Sequence, residues 1–196
     1  MIRRVPKAKT ALFLSLLVAA GGCGAPANDS DAAELISTSI DRASCTEQID
    51  FSDPNETPYL ECPGVSGYSL MVKQVGSGRT SISVLTPDKQ EFPLDFDRVI
   101  STAMADLEST AQWQVTTSGG SEDPIALIAS VRVREDLDEP DNVTATYAAV
   151  AKITPDQICV TDRIEKLASS EQAIATAAAE ATRKSCLPPL PDTPEM

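Results

Sequence analysis

Ile125-Ala126-Leu127-Ile128-Ala129-Ser130-Val131-Arg132-Val133-Arg134 is the stretch that decides the fold class. Ile125, Leu127, Ala129, Val131 and Val133 share one parity, and Ser130, Arg132 and Arg134 take the other. A period of two sets one group against a core and the other toward solvent, the pattern of a half-buried strand. Val143, Ala145, Tyr147, Ala149, Ala151 and Ile153 repeat it. The polar residues 135–142 between the two runs read as a loop closing an antiparallel hairpin.

Working outward, residues 158–164 read as a further strand. A helix is expected from Ser169 to Lys184, with Ile174, Ala177, Ala178 and Ala181 on its apolar face. Ser169 with Gln172 fits a capping box, and Arg183 and Lys184 sit where the helix dipole favours cations. Upstream, residues 68–75 and 80–85 read as two strands joined by Gly76-Ser77-Gly78-Arg79, whose glycines supply a hairpin's positive φ. Cys62-Pro63-Gly64, with Gly67, is turn chemistry. Phe96, Ile100, Ala103 and Leu107 recur at helical spacing over residues 95–108, and Trp113 and Val115 begin a short strand after them. Leu35, Ile36 and Ile40 suggest a short helix over residues 32–43. With hairpins and helices but no regular βαβ alternation, the expected class is α+β. The expected architecture is an antiparallel sheet of about 5–6 strands packed by one or two helices.

The first residues carry an address. Arg3, Arg4, Lys7 and Lys9 precede an apolar run over residues 11–20, which ends at Gly21-Gly22-Cys23. A basic start, a short apolar core and small residues are the parts of an export signal. The run falls short of the roughly 20 apolar residues that span a bilayer. Ala20-Gly21-Gly22-Cys23 resembles the lipobox of bacterial lipoproteins, which prefers Leu where Ala20 stands. That resemblance implies a signal over 1–22 and a diacylglycerol thioether on Cys23. Residues 23–31 are then a flexible tether, 32–186 a single domain and 187–196 a disordered Pro-rich tail. Gly24 after Cys23 suggests outer-membrane sorting toward the periplasm, by analogy with Gram-negative lipoproteins. Simple cleavage after Ala20 or Ala27 is the alternative.

Cysteine parity bears on the same point. The five cysteines are Cys23, Cys45, Cys62, Cys159 and Cys186, and an odd thiol in an exported protein needs an explanation. Lipidation of Cys23 leaves four, enough for two disulfides in an oxidising compartment. Of three possible pairings, Cys45–Cys62 and Cys159–Cys186 each join cysteines close in the chain. Neither pair has the close spacing of zinc ligands.

The chain carries 16 basic and 29 acidic residues. Without the four basic residues of 1–22, 12 face 29, a net charge of −17. Nucleic acid and anionic headgroups are therefore poor partners, and a basic protein is a possible one. The chain has no histidine, which excludes Ser-His-Asp and Cys-His catalysis and His-bearing zinc sites. No GxSxG, GxxxxGK[ST] or GxGxxG occurs, and no cofactor is expected. Only carboxylates remain for catalysis, with nothing to select a pair at the separation glycoside hydrolysis requires. Asp136, Asp138, Glu139 and Asp141 offer oxygen ligands to Ca²⁺ but lack EF-hand order, so a solvated hairpin tip is the preferred reading. Arg79, at a hairpin tip, is a candidate for meeting an anionic partner. Trp113, the single tryptophan, reads first as a core anchor and second as a binding residue.

Cys45, Cys62-Pro63-Gly64-Val65-Ser66-Gly67-Tyr68, Arg79, Trp113, and Cys159 with Cys186 around an Ala-rich helix together resemble a group of uncharacterised bacterial exported proteins. Members often have an acid before that Arg and Glu-Trp-Arg around the Trp, where this chain has Gly78 and Gln112-Trp113-Gln114. The resemblance implies a disulfide-pinned scaffold and brings no activity with it. The expectation is a membrane-anchored, non-catalytic envelope lipoprotein with a structural or binding role. The alternatives are an inhibitor or accessory module for a cationic protein, and a carboxylate-based envelope hydrolase.

Overall fold

A computed structural model describes residues 33–49, 58–76, 78–118, 120–134 and 142–191. The fold is α+β, with a C-terminal helix pinned by a disulfide. One antiparallel sheet runs β1 (Glu34–Ser39), β7 (Met104–Ser118), β8 (Ser121–Arg134), β9 (Val143–Ile153), β10 (Ile158–Glu165) in spatial order. The other runs β2 (Thr46–Gln48), β3 (Tyr59–Pro63), β4 (Ser69–Gln74), β5 (Thr80–Leu85), β6 (Glu91–Pro93). The alternating run of β8 lies at the centre of the first sheet, between β7 and β9.

Leu127, Ala129, Val131 and Val133 face the second sheet, where Leu70, Ile82, Val84 and Cys62 belong to the same buried cluster. Trp113 and Phe96 are the largest fully buried side chains in it. The opposite parity of β8 and β9, Ala126, Ile128, Ala148 and Val150, lies under helix α2 (Glu171–Glu180) and its 3-10 extension (Ala181–Arg183). Ala177, Ala178 and Ala181 meet them, so the small side chains let the helix lie close. The central strands are thus covered on both faces.

Several expected elements differ. Residues 34–39 form an edge strand rather than a helix: Ile36 and Ile40 pack inward with the alternation of a strand, and the intervening Ser and Thr residues favour extended backbone. The helix expected over 95–108 is one turn, α1 (Phe96–Val99), followed by the long strand β7. Ala105, Leu107, Ala111, Trp113 and Val115 all join the core with period two, a rhythm hidden by the polar bulge at residues 108–110. No capping box forms at Ser169. Ser170 is the N-cap, and its hydroxyl donates to Leu167 O at 2.8 Å and accepts from Leu167 N at 3.1 Å. Strands β2, β3 and β6, none of them expected, complete the second sheet around β4 and β5. Of the tail expected to be disordered, Leu187 N–H donates to Val160 O at 2.8 Å and Leu190 N–H to Arg98 O at 2.7 Å. The signal, Cys23, the tether over 23–31, the acidic loop over 135–141 and residues 192–196 lie outside the described residues.

Candidate functional site

β1 accompanies β7 only as far as the pair Ser39 and Thr110, with one further bond from Ile40 N–H to Ser109 O at 2.8 Å. Beyond that point β7 is bulged, since three residues separate Leu107 from Ala111 while only Ser130 separates their partners on β8. The tip of the β4–β5 hairpin then reaches β7, where Ala105 N–H donates to Gly78 O at 3.0 Å. Among the described residues, no strand pairs with this side of β7 between those two contacts. A groove of about 600 Å³ opens there. Residues 40–42, Val72 and Thr80 wall it, and residues 106–110 with Arg132 form its floor. Bulges of this kind re-aim side chains and are common beside functional sites.

Two carboxylates stand here, Asp106 just before the bulge and Glu108 within it, and each is held by cations. Asp106 accepts from Arg132 Nε at 3.0 Å and Nη2 at 3.1 Å, and also from Arg134 Nη2. Arg134 Nε is buried without a hydrogen-bond partner. Glu108 accepts from Lys166 Nζ at 2.9 Å, and the same ammonium donates to Ser130 Oγ at 2.9 Å. The Lys166 hydrogen bond holds the Glu108 carboxyl below the usual carboxylate range, against the opposing effect of partial burial. At the mouth, Arg42 pairs with Glu47 at 2.7 Å, while among the described residues the exposed Asp41 carboxylate accepts only a long bond from Ser39 Oγ, at 3.4 Å. A general acid needs a carboxyl pushed upward; Glu108 is pushed downward and Asp106 is neutralised by two guanidiniums.

The structure does not bring the two sequence candidates together. Arg79 curls over its own hairpin, so close that a Cβ at Gly76 would meet its Nη2 at 2.8 Å. It flanks the groove without lining it. Trp113 is fully buried, its indole N–H donating to Thr38 Oγ1 at 2.9 Å, with Tyr68 tilted against it at 6.3 Å. That is the position of a core anchor. The cysteines pair as Cys45–Cys62 and Cys159–Cys186. Asp106 and Glu108 escaped the sequence reading because the spacing of the apolar residues over 95–108 reads as a helix. The usable signal was Arg132 and Arg134, two cations on one parity of the central strand.

No protein-family model, no curated protein sequence and no solved structure matches this chain.

Proposed function

We propose that this protein is a lipid-anchored component of the bacterial cell envelope, held in the outer membrane by acylated Cys23 and facing the periplasm, with a non-catalytic structural or binding role. The observation that carries the reading is the cysteine arithmetic: two disulfides take up Cys45, Cys62, Cys159 and Cys186. Cys23 is the one cysteine of the chain outside them, at the end of a basic-then-apolar signal. Disulfides are the habit of exported proteins, so the bridges and the signal support the same compartment. Stable anchoring by acyl chains takes more than one, which the diacylglycerol thioether provides.

Intact mass spectrometry of protein purified from native membranes tests this. The expected result is an N-terminal Cys23 carrying diacylglycerol, and a gain of about four hydrogens on reduction, two for each bridge. An unmodified N-terminus beyond Cys23, or free thiols, overturns it.

Within that reading, a binding role is favoured over a purely structural one by the groove at the β7 bulge. A net charge of −17 on the mature chain favours a basic protein as the partner, in the manner of an inhibitor or accessory module. A carboxylate hydrolase has the weaker support, because Asp106 and Glu108 are engaged as anions by Arg132, Arg134 and Lys166.

A further inference from the structure

Among the described residues the two sheets present four edges, and three are blunted. β2 and β6 are three residues long, and β6 contains Pro93. The β10 edge is covered where Leu187 N–H bonds Val160 O. β1 is different: six residues, paired to β7 without a register shift, with no proline and no basic residue. Natural proteins protect such edges with lysine, proline, bulges or shortness, and β1 has none of these, its one charge being Glu34 at its start, so it is a template for another strand.

The ladder shows which groups are on offer. Ile40 N–H donates to Ser109 O, and antiparallel pairing alternates. The backbone groups of Ile36 and Thr38 therefore turn toward β7, and those of Leu35, Ser37 and Ser39 turn toward the edge that no other described strand pairs with. The Leu35 side chain is half exposed beside them. Charge is confined to the two ends. Glu34 stands at the start, and Asp41 at the far end, where the backbone is still extended at φ −63° and ψ 143°. Neither is in an ion pair among the described residues. Seven residues apart, they are separated by roughly 23 Å of extended chain. Beyond Asp41 lies the groove, whose Asp106 and Glu108 are already paired with Arg132, Arg134 and Lys166, so the unpaired acids of this edge are Glu34 and Asp41 among the described residues.

We propose that the β1 edge takes up an extended polypeptide segment as an added strand, one with an uncharged, strand-forming middle and a basic residue at each end. Main-chain hydrogen bonds to Leu35, Ser37 and Ser39 supply the affinity, and Glu34 and Asp41 supply the choice of a cationic partner. This rests on the binding role proposed above and names the class of partner.

The test uses the full protein extracted from membranes in detergent, with fluorescence anisotropy of labelled acetyl-Lys-Val-Thr-Val-Thr-Val-Thr-Lys-amide as probe. The expected result is saturable binding that weakens with salt. Replacing both probe lysines by glutamate weakens it about tenfold or more. Ser37→Pro removes an outward N–H while sparing the bonds to β7, and abolishes binding with the urea midpoint retained. Glu34→Lys keeps every backbone group and narrows the preference for lysine over glutamate ends, which guards against a misfolded proline variant. Equal binding by Ser37→Pro, equal binding of the two probes, or no binding by the wild type overturns the proposal. So does a dimer that Ser37→Pro converts to monomer, which assigns the edge to a second copy. Acylation of Cys23 is read by mass on the same preparation. Failure of the probe on acylated protein leaves the anchor standing, and binding by unacylated protein leaves the edge standing without the anchor.

Discussion

At Gly64 the chain has no room for a methyl group: a Cβ there would lie 2.5 Å from Tyr68 O and 2.9 Å from Trp113 Cζ2. The loop Cys62-Pro63-Gly64 thus presses its backbone against the indole, and the close approach sets the position of Trp113. Gly64→Ala is expected to cost about 1–3 kcal/mol, the usual range for overpacking a tight core, read as a lowered urea midpoint with Trp113 fluorescence as the signal. An unchanged midpoint would mean that the loop yields freely. Glu108 makes a second prediction at this scale. Its folded pKa is depressed below its ordinary value of 4.5, chiefly by the Lys166 hydrogen bond. The folded state therefore binds fewer protons than the unfolded chain as pH falls through that region. The contribution is present above the unfolded pKa and disappears as pH drops through the folded one. Lys166→Met should lower stability at neutral pH by less than about 1 kcal/mol, since the pair is partly exposed. It should also make the acid limb shallower. Urea midpoints of both proteins from about pH 7 to about pH 3 check this, and parallel curves would show that the pair contributes nothing.

Among the elements, the Cys45–Cys62 bridge joins the chain before β2 to β3, with a sequence separation of 17. Both cysteines pack with the main core, and Cys62 is fully buried in it. On the chain-entropy account, closing a loop of that size stabilises the folded state by about 3 kcal/mol. Replacing both cysteines by serine should lower global stability by at least that, and a cost near zero would reject the account. What the sequence made legible divides along the same scale. Strands with a full run of alternation, β8 and β9, were readable because burial on one face leaves the period of two intact. The β4–β5 hairpin was readable from Gly76 and Gly78, which both take positive φ. The observed bridges are the pairing favoured by closeness in the chain, although spacing alone leaves three pairings open. β7 was hidden because its alternation breaks at Glu108-Ser109-Thr110, and the apolar residues before the break happened to fall at helical spacing. The three-residue strands β2 and β6 carry too little pattern to be seen, so only the β4–β5 centre of the second sheet was visible. The groove went unseen for the same reason as β7, since it exists where that strand breaks rhythm and loses its neighbour.

Over the whole molecule, burial is unequally shared. The main cluster draws on both sheets, from Leu70 and Val84 on one side to Leu127 and Val150's neighbours Ala149 and Ala151 on the other, and includes Trp113 and Phe96. Neither sheet can separate without exposing all of it, so the sandwich should unfold in one step. Helix α2 with its 3-10 extension stands apart, on a second cluster to which the two contribute Ala177, Ala178, Ala181 and the half-buried Ile174. Alanine methyls bury little apolar area, and stabilisation scales with that area. What holds the helix end is polar and covalent. Lys152 Nζ donates to Lys184 O at 3.1 Å, Lys184 Nζ pairs with Asp162 Oδ1 at 2.7 Å, and Cys186 is bonded to Cys159 on β10. A short helix with a small apolar face is marginal by itself, so the bridge should decide whether it melts with the sandwich or ahead of it. In the oxidised wild type, helical circular dichroism and Trp113 fluorescence are expected to change together with urea. In the Cys159→Ser/Cys186→Ser protein, the helical signal should be lost at lower urea than the fluorescence, because local opening no longer strains a covalent link. Coincident curves in that variant would mean that the alanine face and the lysine contacts suffice, and that α2 belongs to the same cooperative unit as the two sheets.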